Sequence, residues 1–160
     1  MEYEVNISYK FAAASDADAR DKAREYIAEN LIVRPLRELV CSPAEVAEQC
    51  RNFRNKPKEH FCVFLLDTQN RIVGKEVISI GTLNASLIHP RETFRTAIRK
   101  NSCSIIVVHN HPSGSLEPSP EDMHVTRRLQ QAGELLGIEL LDHVIVTATA
   151  FVSFREKRLL

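Results

Sequence analysis

Residues 109–122, HNHPSGSLEPSPED, carry the side chains with the clearest potential for chemistry. His109 and His111 are two residues apart at the end of an apolar run, and Asp122 follows a loop rich in proline and serine. Side chains two apart on a strand point to the same face, so both imidazoles can approach one point. Two histidines and a carboxylate match the protein ligands of a catalytic zinc site, which keeps its fourth position for water.

The same stretch also has an interpretation that needs no metal. Ser119-Pro120-Glu121-Asp122 is a typical helix start, with serine as the cap and proline at the first helical position. Ser42-Pro43-Ala44-Glu45 has the same pattern without a histidine pair beside it. Each half of the motif is weak evidence by itself. The joint spacing, H-x-H-x7-S-x-x-D with proline directly after the second histidine, is much more specific for a metal site.

The neighbouring elements are predicted to bring these residues to one edge of a sheet. SIIVVHNH (104–111) is a continuous apolar run, which is typical of a central strand buried on both faces. The helix predicted after Ser119 is the longest in the chain and ends at Gly137. An acidic side chain in its first turn lies near the carboxyl edge of the preceding strand, where ligands bind in open α/β sheets. Its core face is predicted to carry Val125, Leu129, Ala132 and Leu136.

The order of the remaining elements indicates an α/β fold, a mixed α+β sheet flanked by helices. Alternating apolar residues predict a first strand over 3–11. Helices are predicted over 15–31, with Ser15 or Asp16 as the cap, and over 43–53, with Ser42 as the cap. A further helix begins at Pro90, with Phe94, Ala97 and Ile98 on its apolar face. Further strands are predicted at 61–67, 71–81, 85–89, 139–148 and 150–156, of which the first two form a hairpin around Gln69-Asn70 and the last two an antiparallel pair.

Composition excludes several classes of protein. The chain has 160 residues, 44% hydrophobic and 26% charged, which suits one globular domain with a short appendage. Its formal net charge of zero argues against strong, sequence-independent binding to nucleic acid. The apolar runs are too short to span a bilayer, so no membrane partner is expected. The first residues lack an apolar signal segment.

The four cysteines are predicted to be buried free thiols. No CxxC pair occurs, and Cys62 and Cys103 lie inside apolar runs, whereas a disulfide framework or a zinc finger needs paired spacings. The other two are Cys41 and Cys50. Free thiols indicate a reducing compartment, so a cytoplasmic location is expected.

The motif H-x-H-P followed by S-x-x-D resembles the JAMM signature of the JAB/MPN metallopeptidase fold, a three-layer architecture similar to that of cytidine deaminases. Within that fold, the sequence resembles the RadC family over about 42–156. The stretches that carry this resemblance are GTLNASLIHPRETFRTAI (81–98), HNHPSG (109–114), EPSPED (117–122), GIELLDHVIV (137–146) and FVSFRE (151–156). The predicted division is a strand–helix extension at 1–41 and a RadC-type JAB/MPN domain at 42–160.

The resemblance implies that His109, His111 and Asp122 bind one Zn²⁺ per chain. Ser119 matches the motif serine, which in such sites hydrogen-bonds near the bound water and can steady an oxyanion. His143, which has no partner at ligand spacing, is interpreted as structural.

The resemblance further implies a glutamate at the start of an early strand as the general base. That residue takes a proton from water and returns it to the leaving amine. Glu59, directly before FCVFLL, is the favoured candidate, and Glu76 in the following strand is the alternative.

Three functions are therefore compared. The first is a zinc-dependent metallopeptidase or isopeptidase-like hydrolase acting on a peptide or protein substrate. The second is an accessory protein in DNA repair or recombination, which the family name suggests. The third is a non-catalytic interaction module, which ranks below the first because such modules usually lack the metal ligands.

The N-terminal residues differ from the pattern of longer RadC proteins. Those relatives carry a helix-hairpin-helix segment for DNA binding, whereas residues 1–41 contain no glycine and therefore no glycine-bearing hairpin. Direct nucleic-acid binding is consequently left open. The alternating strand at 3–11 could instead pair with the edge of a sheet, which makes a homodimer a hypothesis.

Overall fold

The computed structural model describes residues 3–4, 15–30, 34–35, 39–40, 42–81 and 88–160. The chain divides into two compact units, Met1–Arg37 and Glu38–Leu160. The domain boundary predicted between residues 41 and 42 stays a prediction.

The first unit contains a helix of 15 residues and a two-stranded sheet. Strand β1 is Tyr3–Glu4, helix α1 is Asp16–Asn30, and strand β2 is Arg34–Pro35, which pairs antiparallel with β1. The Ser15 hydroxyl accepts a hydrogen bond from the Asp18 N–H at 3.2 Å, so of the two predicted caps, Ser15 and Asp16, it is Ser15 that caps α1. Residues 5–11 of the predicted first strand, and with them the proposed dimer contact, lie outside the described residues.

The second unit holds a five-stranded sheet with helices on its faces. In chain order its elements are α2 (Pro43–Glu48), β3 (Glu59–Leu66), β4 (Ile72–Gly81), α3 (Pro90–Arg99), β5 (Ser104–Asn110), α4 (Pro120–Leu136), β6 (Glu139–Val146) and β7 (Phe151–Ser153). The strand order is β4-β3-β5-β6-β7, with β5 and β6 parallel and the other neighbours antiparallel. The predicted α/β class with a mixed sheet is confirmed. The strand predicted over 85–89 lies largely outside the described residues.

Two hydrophobic cores on opposite faces of this sheet produce three layers. Successive strand residues point to opposite faces, so Cys62 joins the core that contains Val46 of α2. The next residue, Val63, joins the core that contains Phe94 of α3 and Leu129 of α4. All seven residues of β5 are buried, which confirms the prediction of a central strand covered on both sides.

The hairpin of β3 and β4 turns at the predicted position. The Asp67 carboxylate accepts hydrogen bonds from the N–H groups of Gln69 at 2.9 Å and Arg71 at 3.0 Å. Asn70 has a φ of 58°, a left-handed conformation that asparagine adopts more readily than most residues. This local chemistry explains why the turn could be predicted from the sequence.

The C-terminal part of α4 differs from its predicted apolar face. Val125 and Leu129 are buried, but Leu136 is 47% exposed. The reason is the sharp end of the helix at Gly137, whose left-handed φ of 67° turns the chain away. Ile138 then packs into the core, and its N–H donates to the Gly133 carbonyl at 3.0 Å.

None of the helices in the described ranges has the length and apolarity needed to cross a bilayer.

The predicted apolar face of α3 is wrong at one position. Phe94 and Ala97 are buried, whereas Ile98 is 52% exposed. Thr93 and Thr96 complete the buried face instead. The buried stripe is centred near Thr93 and Ala97 and reaches Phe94 only at its edge, so Ile98, one turn after Phe94, lies outside it.

Two of the cysteines are buried as predicted and a third is not. Burial raises the pKa of Cys50 to about 12 and that of Cys62 to about 11, so both thiols are protonated at neutral pH. Cys103 is exposed, because it lies in the connection between α3 and β5, one residue before the buried strand begins. Cys41 lies outside the described residues.

Candidate metal centre

The end of β5 positions the two histidines. His109 is the last but one residue of the strand and is fully buried. His111 follows the strand but keeps its hydrogen-bond ladder, since its N–H donates to the Val146 carbonyl of β6 at 2.9 Å. The strand geometry therefore extends through both residues and directs their rings toward the start of α4.

The start of α4 positions Asp122 through a capping box. The Asp122 N–H donates to the Ser119 hydroxyl at 3.1 Å, and the Ser119 N–H donates to Asp122 Oδ2 at 2.7 Å. The Ser119 hydroxyl also donates to Oδ2 at 2.7 Å. The same interactions cap the helix and orient the carboxylate, so the metal interpretation and the cap interpretation are compatible.

His109, His111 and Asp122 converge in a buried group. Their nearest ligand atoms all lie within 4.8 Å of one another. His109 Nε2 is 2.9 Å from His111 Nε2 and 3.1 Å from Asp122 Oδ1, and His111 Nε2 is 3.5 Å from Asp122 Oδ2. Two imidazole nitrogens and both oxygens of one carboxylate therefore face a single point.

The hydrogen bonds around this group fit a bound cation. The Nδ1 atom of His111 is 2.8 Å from the Ser115 carbonyl, which can only accept, so the neutral ring directs its Nε2 lone pair at the group. Asp122 Oδ1 is buried and has no hydrogen-bond partner among the described residues. A buried acceptor without a donor is costly, and a metal ion at this point would satisfy it.

The charged state of each group follows from its surroundings. Burial by itself raises the pKa of Asp122, but its contacts with His109 and His111 outweigh this effect and hold the pKa well below its usual range. Burial lowers the pKa of His109, whereas contact with Asp122 raises that of His111. The carboxylate is thus ionised at neutral pH, as a metal ligand must be.

Glu59 and Glu76 occupy different surroundings. Glu59 is the first residue of β3, pairs with Gly81, and lines a cavity of about 410 Å³ together with His111, Ser119 and Asp122. Glu76 lies within β4 opposite Val63, where it is exposed, and it is not part of the lining of this cavity.

Asn110 is a site residue that the sequence analysis missed. It lies between the two histidines, and its side chain is fully buried on the opposite face of β5. Its Oδ1 accepts from the His60 N–H at 2.7 Å, and its Nδ2 donates to the carbonyls of Lys58 at 3.2 Å and Lys56 at 3.3 Å. These bonds hold the backbone on both sides of Glu59. The signal in the sequence that could have identified it is an asparagine at the end of an apolar strand, between two histidines.

His143 and Thr126 also contact the site. His143 Nε2 is 2.8 Å from His109 Nδ1, and His143 Nδ1 is 2.6 Å from the Thr126 hydroxyl. Burial lowers the pKa of His143 well below its usual value. The structural role predicted for His143 did not include this connection to a candidate ligand, because nothing in the local sequence relates β6 to β5.

The fold and the site together define an α/β domain with a candidate metal centre at the carboxyl end of its central strand. A family model described as the RadC-like JAB domain matches residues 40–159. The chain therefore belongs to the RadC-like JAB domain family.

Several curated proteins are extensively similar to this chain. A UPF0758 protein of Shouchella clausii is 47% identical over 130 residues, which cover 81% of this chain and 55% of that protein. UPF0758 proteins of Desulfitobacterium hafniense and Methanosarcina acetivorans are each 44% identical over 149 residues, covering 92% of this chain and 64% of the relative. The chain thus spans between a half and two thirds of the length of these curated relatives.

Proposed function

We propose that the protein is a zinc-dependent hydrolase that cleaves amide bonds in peptide or protein substrates. One observation carries this proposal: a buried carboxylate and two imidazoles converge with an unsatisfied oxygen, beside a cavity that Glu59 lines. Zinc is favoured over magnesium and calcium because those ions prefer oxygen ligands, whereas imidazole nitrogen suits zinc.

Each site residue has a part in this reaction. Zinc bound by His109, His111 and Asp122 would supply Lewis-acid activation of water and of the substrate carbonyl. Glu59 accepts a proton from the attacking water and delivers it to the nitrogen of the leaving amine. Its position at the cavity supports this role over that of Glu76.

Ser119 has two parts in the proposal. Its hydroxyl donates to Asp122 Oδ2 at 2.7 Å, which keeps the carboxylate directed at the histidines. Ser119 also lines the cavity, and to stabilise the oxyanion of a reacting carbonyl its hydroxyl would redirect its single proton from Asp122 Oδ2 to that oxyanion.

Substitution of the proposed base tests the function. Zinc content is measured by mass spectrometry, and turnover is measured on a fluorescence-quenched peptide library. We expect Glu59→Gln to keep its zinc and to lose roughly 10²-fold or more of the turnover, as loss of a general base does. Glu76→Gln is the matched control and should retain turnover, whereas Asp122→Ala should lose zinc and turnover together. A wild-type protein that binds no divalent metal, or an undiminished Glu59→Gln variant, would contradict the proposal.

A further inference from the structure

We infer that His143 and Thr126 are positioning residues that determine which nitrogen of His109 is available to a metal. They form a hydrogen-bonded relay, from the Asp122 carbonyl through Thr126 and His143 to His109. This inference rests on the metal site of the proposed function, but it does not depend on amide hydrolysis.

The direction of the relay is set at its helical end. The Thr126 hydroxyl lies 2.7 Å from the Asp122 carbonyl oxygen, one helical turn earlier in α4. A carbonyl can only accept, so the hydroxyl donates its single proton there. At its other contact, 2.6 Å away, the hydroxyl must therefore accept a hydrogen bond from His143 Nδ1.

The same logic extends to the ligand. With its proton on Nδ1, the neutral His143 ring has a lone pair on Nε2. That lone pair accepts from His109 Nδ1 at 2.8 Å, so the proton of His109 is also on Nδ1. His109 Nε2 then carries a free lone pair, which is directed at Asp122 and His111. Histidine ligands of metals are commonly oriented in this way by a partner at the other ring nitrogen.

Packing holds the His143 ring in the orientation that this order requires. The ring stacks on Phe154 with centroids 4.5 Å apart and meets the edge of Phe61 at 5.7 Å. His143 is fully buried. The ring therefore has little freedom to exchange its two nitrogens by rotation.

The relay links two candidate ligands through three elements. It begins at the backbone of Asp122 in α4, passes through His143 in β6, and ends at His109 in β5. The second histidine, His111, is oriented differently, by the Ser115 carbonyl of its own loop. Removal of the Thr126 hydroxyl would leave His143 Nδ1 without its acceptor. The opposite tautomer of His143 would then place a proton on His109 Nε2, where it blocks metal binding.

Matched threonine substitutions test the relay. Zinc affinity is measured by competition with a chromophoric chelator at one pH. We expect Thr126→Val to weaken zinc binding by about 10- to 100-fold, as loss of a partner behind a ligand does. Thr126→Ser keeps the hydroxyl and should restore wild-type affinity. Thr93→Val is the control, because Thr93 is also buried but its hydroxyl has no hydrogen-bond partner among the described residues.

Histidine NMR provides a readout that a merely structural role would not change. In metal-free wild type labelled with ¹⁵N-histidine, we expect His109 and His143 both to carry the proton on Nδ1. In Thr126→Val, proton density should appear on His109 Nε2. Wild-type affinity in Thr126→Val, or a proton on His143 Nε2 in wild type, would overturn the inference. If the wild type binds no zinc, the proposed function fails, while the spectra of the metal-free protein still decide the relay.

Discussion

At the scale of single residues, the site depends on where each side chain places its donors and acceptors. His109, His111 and Asp122 present acceptors to one another, and Asp122 Oδ1 has no donor among the residues that the structure describes. Their remaining polar atoms are bound by Ser115, Ser119 and the relay behind His109. The carboxylate and the two rings are therefore held in fixed orientations, as the ligands of a metal site need to be.

Asn110 offers a prediction at this scale. Asn110→Ala removes three hydrogen bonds around Glu59 and leaves the partly buried His60 amide without its side-chain acceptor. We expect the free energy of unfolding to fall by about 1–3 kcal/mol, measured by urea denaturation. Hydrogen exchange of the His60 amide should also accelerate. Asn52→Ala, at an exposed position, is the control and should change neither quantity. Unchanged exchange at His60 would contradict the role assigned to Asn110.

At the scale of elements, a strand end and a helix start each serve two purposes. The last residues of β5 complete the sheet ladder and carry the histidines, and the capping box of α4 satisfies its first N–H groups and carries Asp122. Because the N-cap Ser119 and Asp122 hydrogen-bond each other's backbone N–H groups, the helix start supplies a carboxylate of fixed orientation. The far end of α4 is equally constrained, by the close approach of Ile138 to Gly133.

Gly133 tests this packing. A Cβ atom added at Gly133 would lie 2.5 Å from the Ile138 carbonyl oxygen, which is backbone and cannot move freely. Alanine is the better helix former by about 1 kcal/mol. We nevertheless expect Gly133→Ala to lower the free energy of unfolding by about 1–3 kcal/mol, because overpacking outweighs propensity here. Chemical denaturation measures the change. Gln131→Ala, on the exposed side of the same helix, should stay within about 0.5 kcal/mol of wild type. If Gly133→Ala instead raised the free energy of unfolding, the backbone at Ile138 would have to move away from the added Cβ atom, and the expected overpacking would be contradicted.

At the scale of the whole second unit, the strand order brings separate parts of the chain to one edge of the sheet. Strand β3 runs antiparallel to β5, so its first residue, Glu59, lies at the end of β5 that carries the histidines. Strand β6 runs parallel to β5 on its other side and places His143 behind His109. The β5–α4–β6 crossover then brings Asp122 to the same edge.

Metal binding is therefore expected to stabilise the folded state as a whole. Zinc at a hundred times its dissociation constant adds about 2.7 kcal/mol to the free energy of unfolding. For a domain of this size, that corresponds to a rise in Tm of roughly 5–10 °C. Calorimetry with zinc and then with excess chelator measures the shift and its reversal. Asp122→Asn keeps a capping oxygen but loses the charge, so its Tm should not respond to zinc. An equal response in this variant would place the metal elsewhere.

The sequence by itself determined what depends on short-range periodicity and local hydrogen bonding. The spacing of two along β5 predicted that His109 and His111 share a face, and the cap pattern predicted that Asp122 opens a helix. The hairpin turn at Asn70 and the end of α4 at Gly137 followed from the same kind of chemistry. Such features involve residues only a few positions apart, so the local pattern is sufficient.

Only the tertiary structure decided which distant residues complete the site. Asn110 holds the backbone at Lys56, Lys58 and His60, and His143 holds His109, through contacts that join different strands. These pairings depend on strand order and on register, including the shift between Ile105 and Ile106 where β5 meets β6. A shift of one residue would turn His143 to the other face of the sheet. Neither order nor register is set by local sequence, because both result from the packing of the complete cores on the two sides of the sheet.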